Sequence, residues 1–151
     1  MDKIEILKKS EVFHSLTDEQ LRLVLKACTT ETYEPGVTLF KQDTKLDKMF
    51  VIEEGLIGIF LQLGPLSERQ VQSASNFDVV GWSALTPPYI STATTKVLEK
   101  TKLIAVDANE LARLFRSNPE IMYKVGSAVA CLVAKRLRSA YHQLLGVAAQ
   151  D

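Results

Sequence analysis

Few stretches of this 151-residue chain have the residue types and spacing that chemistry requires. The densest is "DVVGWSALTPPYISTATT", Asp78 to Thr95, with one glycine, one tryptophan, a run of hydroxyls that includes Ser83, Ser91, Thr92 and Thr94, and no positive charge before Lys96. A short helix starting near Trp82 would offer free backbone N–H groups, and the hydroxyls would add neutral hydrogen bonds, a set suited to a small anion. Nucleophilic and metal chemistry find less support. Cys131 has Lys135 one helical turn on, which lowers a thiol pKa slightly, but it has no histidine partner in sequence. Cys28 and Cys131 both fall in helical patterns and read as reduced, buried thiols. His14 and His142 lie in helical segments at opposite ends of the chain, so a metal site of histidines on facing strands is not expected. No G-x-S-x-G elbow is present. The basic run "KRLR", Lys135 to Arg138, is accounted for by solvation and the helix dipole. Catalytic residues, metal ligands and a required cofactor are therefore not expected, and the chain does not read as an enzyme.

The bulk composition is that of a globular protein, with 46% hydrophobic and 24% charged residues. Eighteen basic residues balance eighteen acidic ones, which removes the electrostatic case for general nucleic-acid or membrane binding. No apolar run approaches a membrane span, and "MDKIEILKKS" lacks a signal-peptide core. A cytoplasmic protein is expected.

Three regions should position the hydroxyl-rich stretch. Residues 1–30 read as helical, with a capping box at Thr17 and Gln20 and an apolar face at Leu21, Val24, Leu25 and Cys28. Residues 31–106 hold short strand-like runs at Val37–Phe40, Met49–Ile52, Leu56–Leu63, Gln70–Ser73, Thr94–Leu98 and Leu103–Val106, separated by turn signals such as "EEG" and "EKT". That rhythm predicts a jelly-roll sandwich or barrel. Residues 107–146 return to helix, with Asp107 and Asn118 as N-caps, Pro119 at a first helical position and Gly146 past the end. The last helix would run about 27 residues, roughly 40 Å. The fold class is thus α+β, mainly β, in one domain over 1–151, with the hydroxyl-rich stretch at 78–95.

This order resembles the cyclic nucleotide-binding domain, as in the catabolite activator protein family. "LKKSEVFHSLTDEQLRLVLKACTTETYEPGVTLFKQ" is similar to that family's leading helices and first strands, with Phe13, Leu16, Pro35–Gly36 and Phe40 at its apolar and turn positions. "DKMFVIEEGLIGIF" matches its strand–turn–strand signature, with Gly55 in the turn. "VVGWSAL" followed by "TAT" matches the frame of its phosphate-binding cassette. The resemblance implies a double-stranded β-helix and a ligand site at Gly81, Trp82, Ser83, Ala84, Leu85, Ser91, Thr92 and Thr94.

The departures fall on the charged contacts. Where the family's cassette has a glutamate for the ribose 2′-hydroxyl, this chain has Trp82. Ten residues beyond the glycine, where an arginine pairs with the phosphate, it has Ser91. Each lost charge-assisted bond removes about 1.5–3 kcal/mol. Together they cost on the order of 10²–10⁴ in affinity. Trp82 either fills core or pocket volume, or lines an altered site. Two glycines of an earlier family turn are replaced by Asp43 and Leu46, and Asp43 is suited to a left-handed position.

In the resembled family the last helix pairs with its twin and closes over the ligand. The stripe Val125, Ala128, Val129, Leu132, Arg136 and Ala140 is expected to be such a dimer face, with packing on the chain's own barrel as the alternative. The family's DNA-reading helices would follow this helix; here only "VAAQD" follows Gly146, so direct DNA binding by this chain is not expected. Two functions follow: a regulatory, ligand-sensing homodimer with weak or altered cyclic nucleotide binding, or a ligand-free scaffold or protein-interaction domain that dimerises through its C-terminal helix. A small-molecule ligand belongs to the first.

Overall fold

The computed structural model describes residues 1–146; the tail of the proposed 1–151 domain, residues 147–151, lies outside them. Two helices, α1 (Lys3–Lys9) and α2 (Asp18–Val24), precede strands β1 (Cys28–Tyr33), β2 (Thr38–Phe40), β3 (Lys48–Gly64), β4 (Ser67–Ala74), β5 (Val79–Val80) and β6 (Thr94–Asp107), and α3 (Ala108–Ser117) and α4 (Pro119–Leu145) complete the chain. All strand pairs are antiparallel. The path runs β1-β6-β3-β4, with β2 also on β6 and β5 on β3. This is the expected jelly-roll fold with a long C-terminal helix, curled but not closed.

Two runs of four apolar residues explain the layering. Along β3, Met49 and Val51 enter one hydrophobic cluster while Phe50 and Ile52 enter another. Opposite them on β6, Ile104 and Val106 join the first cluster, and Leu103 and Ala105 the second. Alternate side chains of a strand point to opposite faces, so an uninterrupted apolar run marks a strand covered on both sides. The first cluster is closed by Leu7, Phe13 and Leu21 from the N-terminal segment and by Ile121, Val125, Val129 and Leu132 of α4. The second fills the roll with Ile57, Ile59, Ala74, Val80 and Ala93.

Several boundaries differ from expectation. The runs Met49–Ile52 and Leu56–Leu63 are one 17-residue strand, and Thr94–Leu98 and Leu103–Val106 are one 14-residue strand. The supposed turns "EEG" and "EKT" are a paired irregularity where the register shifts between Ile52 and Ile57. Gly55 sits there at φ 142°, and a Cβ on it would meet the Thr101 Cα at 2.6 Å. Only glycine meets both demands. Cys28 begins β1 rather than ending a helix, because α2 stops at Val24 and one 3-10 turn, Leu25–Ala27, follows.

The expected caps are present at three sites. Thr17 and Gln20 form the reciprocal capping box, Asp107 accepts from the Glu110 amide at 2.9 Å, and Gly146 ends α4 in the left-handed region. Asn118 makes no side-chain cap; its Nδ2 donates to the Leu114 carbonyl of α3 instead.

The cysteines part company. Cys28 is half-buried and its Sγ donates to the Val24 carbonyl at 3.3 Å. Burial pushes its pKa up to about 12. Cys131 lies exposed on α4, contrary to the core placement expected for it. A thiolate-directed reagent at pH 8 should therefore label Cys131 well ahead of Cys28, by peptide mass mapping. Because the folded pKa of Cys28 exceeds the unfolded one, its contribution to stability is intact at neutral pH and fades from about pH 9 upward.

Candidate functional site

The hydroxyl-rich stretch folds as a left-handed glycine, a 3-10 turn and a clasped loop. Gly81 caps the turn Trp82–Leu85 at φ 82°, and a Cβ there would come 3.2 Å from the Lys48 carbonyl oxygen. Ala84 is buried in a small cluster with Leu46 and Ala108, and Leu85 packs against it. These two residues anchor the turn, and both also line a neighbouring pocket with Lys45, Tyr89 and Arg116.

The loop that follows is laced to residues 41–46. The Asp43 amide donates to the Ser91 carbonyl at 3.0 Å, the Ser91 amide to the Thr44 carbonyl at 2.9 Å, and the Leu46 amide to the Tyr89 carbonyl at 2.8 Å. Asp43 holds the left-handed conformation expected of it, φ 64°. Ser91 Oγ donates to the Lys41 carbonyl and accepts from the Thr44 amide. Thr94 Oγ1 accepts from the Gln42 amide at 2.8 Å. Two of the four predicted ligand hydroxyls thus satisfy loop backbone.

A cavity of about 40 Å³ lies against this turn, and Gly81, Trp82, Ser83, Ser91 and Thr92 contribute to its wall. Its floor is apolar, from Phe40, Leu46, Ile59, Val80 and Ala93. Trp82 lines it while packing, partly buried, against the helical cluster. The volume admits a few water molecules.

Two lining residues escaped the sequence reading as ligand contacts. Thr95, one hydroxyl among many in sequence, is 2% exposed with an unpartnered Oγ1. Arg136 comes from α4, 55 positions beyond Gly81. Its guanidinium donates to Gln72 Oε1 at 2.9 Å and to the Val79 carbonyl at 3.3 Å, fastening α4 to β4 and β5. Gln143 donates to the Val71 carbonyl, and Glu11 accepts from the Val79 amide while facing Lys135 across 3.7 Å. Nothing in sequence signals that this arginine folds back onto the cassette.

The six residues of the expected dimer stripe divide by burial. Val125, Ala128, Val129 and Leu132 are at most 7% exposed, and Val125, Val129 and Leu132 belong to the chain's own helical cluster. Arg136 is turned to the cassette, and Ala140 alone of the six is exposed.

The antiparallel roll, the left-handed glycine, the 3-10 turn and the covering helix define a cyclic nucleotide-binding fold. The family model "Cyclic nucleotide-binding domain" matches residues 30–118, and the chain belongs to that family. Among curated relatives, the neuropathy target esterase sws of Drosophila willistoni is 26% identical over 139 residues, 83% of this chain and 9% of the esterase. The chain therefore spans under a tenth of that relative. The catabolite activator protein of Thermus thermophilus superposes with a TM-score of 0.74 at 25% identity, over 89% of this chain and 62% of that one. A cyclic nucleotide-binding domain from Methylobacillus flagellatus shares the fold, with a TM-score of 0.82 at 16% identity over 95% and 80% of the two chains.

Gly81→Ala should destabilise the protein by about 1–3 kcal/mol, from a left-handed alanine pressed toward the Lys48 carbonyl. Urea unfolding measures it; a loss below about 0.5 kcal/mol would show that the turn relaxes freely.

Proposed function

We propose that this chain is a regulatory, non-enzymatic sensing domain whose cassette retains the family's frame without its grip on cyclic nucleotides, and that it acts as a homodimer through α4. The observation that carries the reading is the state of the cassette: Trp82 and Ser91 stand at the glutamate and arginine positions implied by the family, and Ser91 is spent on the 41–44 loop. The cavity, about 40 Å³, is far below the roughly 300–1,000 Å³ of ordinary small-molecule pockets. Titration calorimetry with cyclic AMP or cyclic GMP should give no saturable heat at low-micromolar ligand. A low-micromolar Kd for either overturns the reading.

Pairing is supported by a second face of α4. Tyr123, Ser127, Ala130, Ala134, Leu137, Tyr141 and Leu144 are all exposed and recur at alternating spacings of four and three. That is a heptad seam, with Tyr123, Ala130, Leu137 and Leu144 at one core position and Ser127, Ala134 and Tyr141 at the other. Small residues at 127, 130 and 134 permit close approach of a second copy, while Tyr141 and Leu144 supply apolar area beyond the roll. The free thiols fit a reducing compartment, and we place the protein in the cytoplasm.

Replacing Leu137 and Leu144 together by aspartate should turn a sedimenting dimer into a folded monomer with little loss of protomer stability. Leu132→Ala, on the opposite face, should instead cost about 2–5 kcal/mol in unfolding. A wild-type monomer at tens of micromolar would remove the pairing.

A further inference from the structure

The cavity under the cassette contains a hydroxyl with nothing to bond and a cation with donors to spare. Thr95, 2% exposed, has a buried Oγ1 without a hydrogen-bond partner. A hydroxyl carries one donor and two acceptor sites, and a buried one left unpaired in a native fold calls for a missing partner. Arg136 lines the same cavity. Of the five N–H groups of a guanidinium, contacts to Gln72 and Val79 occupy two. Among the described residues no carboxylate lines the cavity, and Arg136 is its one charged side chain; on its other side Arg136 borders a groove shared with Glu11 and Asp78. The rest of the floor, including Phe40, Ile59 and Val80, is apolar.

We infer that this cavity binds a short-chain carboxylate, with the Arg136 guanidinium and the Thr95 hydroxyl donating to its oxygens and the alkyl tail against Phe40, Ile59 and Val80. The inference rests on the sensing role proposed above and names the ligand class for that site. Charge and size select it. A single cation balances a monoanion, whereas phosphate or sulfate would bring a second charge into an apolar wall with nothing to meet it. A volume of about 40 Å³ takes a molecule of a few heavy atoms and leaves no room for a ribose and base. A ligand held this way also bears on α4, because Arg136 would then bind carboxylate, Gln72 and the Val79 carbonyl together, drawing the outer half of the helix onto β4 and β5.

The test is a ¹H–¹⁵N correlation titration of the full chain with sodium propionate, against sodium chloride at matched ionic strength, sodium phosphate and cyclic AMP. Propionate should give saturable shifts at Gly81–Ser83, at Thr95 and at the Arg136 side-chain N–H, while chloride and phosphate give only shallow, non-saturating drifts. Thr95→Val keeps the shape of the side chain and should weaken propionate about tenfold or more with the spectrum otherwise native. Arg136→Gln should abolish saturation, and Arg136→Lys, which keeps the charge, should retain part of it. Linear propionate shifts in the wild type overturn the inference. So does an unchanged propionate affinity in Thr95→Val, which would leave the hydroxyl to a buried water. Saturation by low-micromolar cyclic AMP overturns the weak-nucleotide reading itself, whereas silence from both ligands overturns the carboxylate alone.

Discussion

The ladder between β3 and β6 is the constraint on which the remaining elements depend. Phe50 pairs with Ala105, Val51 with Ile104 and Ile52 with Leu103, and side chains leave this ladder toward two separate hydrophobic clusters. A strand pair of this kind cannot face water on either side. One face must meet the helices, and the other must be wrapped by the rest of the sheet. The first requirement brings α4 across the roll, and the second curls β2, β4 and β5 around Ile57, Ile59 and Val80. The cassette sits where these requirements meet, directly after β5, with its glycine over the Lys48 carbonyl at the start of β3.

That position explains what each residue of the stretch answers to. Gly81, Ala84 and Leu85 answer to packing and backbone geometry, whatever the ligand. The hydroxyls answer to backbone: Ser91 and Thr94 tie the 41–44 loop to the start of β6. The loop's shape is thereby secured by its own internal bonds. A half-buried cation, Arg136, reaches the cavity from α4, so any ligand recognition by charge is coupled to the position of the helix.

The sequence carried the fold more clearly than the site. Regular spacing of apolar runs and turn residues was enough for the jelly roll, and Asp107, Thr17 and Gly146 marked helix ends correctly. Each long strand reads as a pair in sequence, because Gly55 in β3 and the "EKT" run in β6 look like turns until the contact between Gly55 and Thr101 is known. The two faces of α4 are hard to tell apart in sequence for a physical reason. Val125, Val129, Leu132 and Arg136 recur at the same spacing as Tyr123, Ser127, Ala130 and Ala134, and periodicity alone cannot say which of two such faces meets the core. Side-chain type is a weak guide as well, since the inward face ends in an arginine and the outward one in Tyr141 and Leu144. Thr95 and Arg136 lacked any local signal, because their proximity is created only when α4 lies across the sheet.

The change of character along α4 carries the last step. Up to Leu132 the inner face is apolar and belongs to the core, so this half of the helix moves only if the cluster opens. Beyond it, apart from the partly buried Val133, the inward contacts are polar: Arg136 to Gln72 and Val79, Lys135 to Glu11, Gln143 to Val71. Partly exposed polar contacts are individually worth about 0.5–1.5 kcal/mol or less, so they can be exchanged without unfolding anything. The outer face of this same half bears Leu137, Tyr141 and Leu144 of the exposed seam. A helix fixed at one end by its core and held at the other by exchangeable contacts is a physical means of joining cavity to seam. Arg136, one residue before Leu137, is the side chain through which the two faces meet.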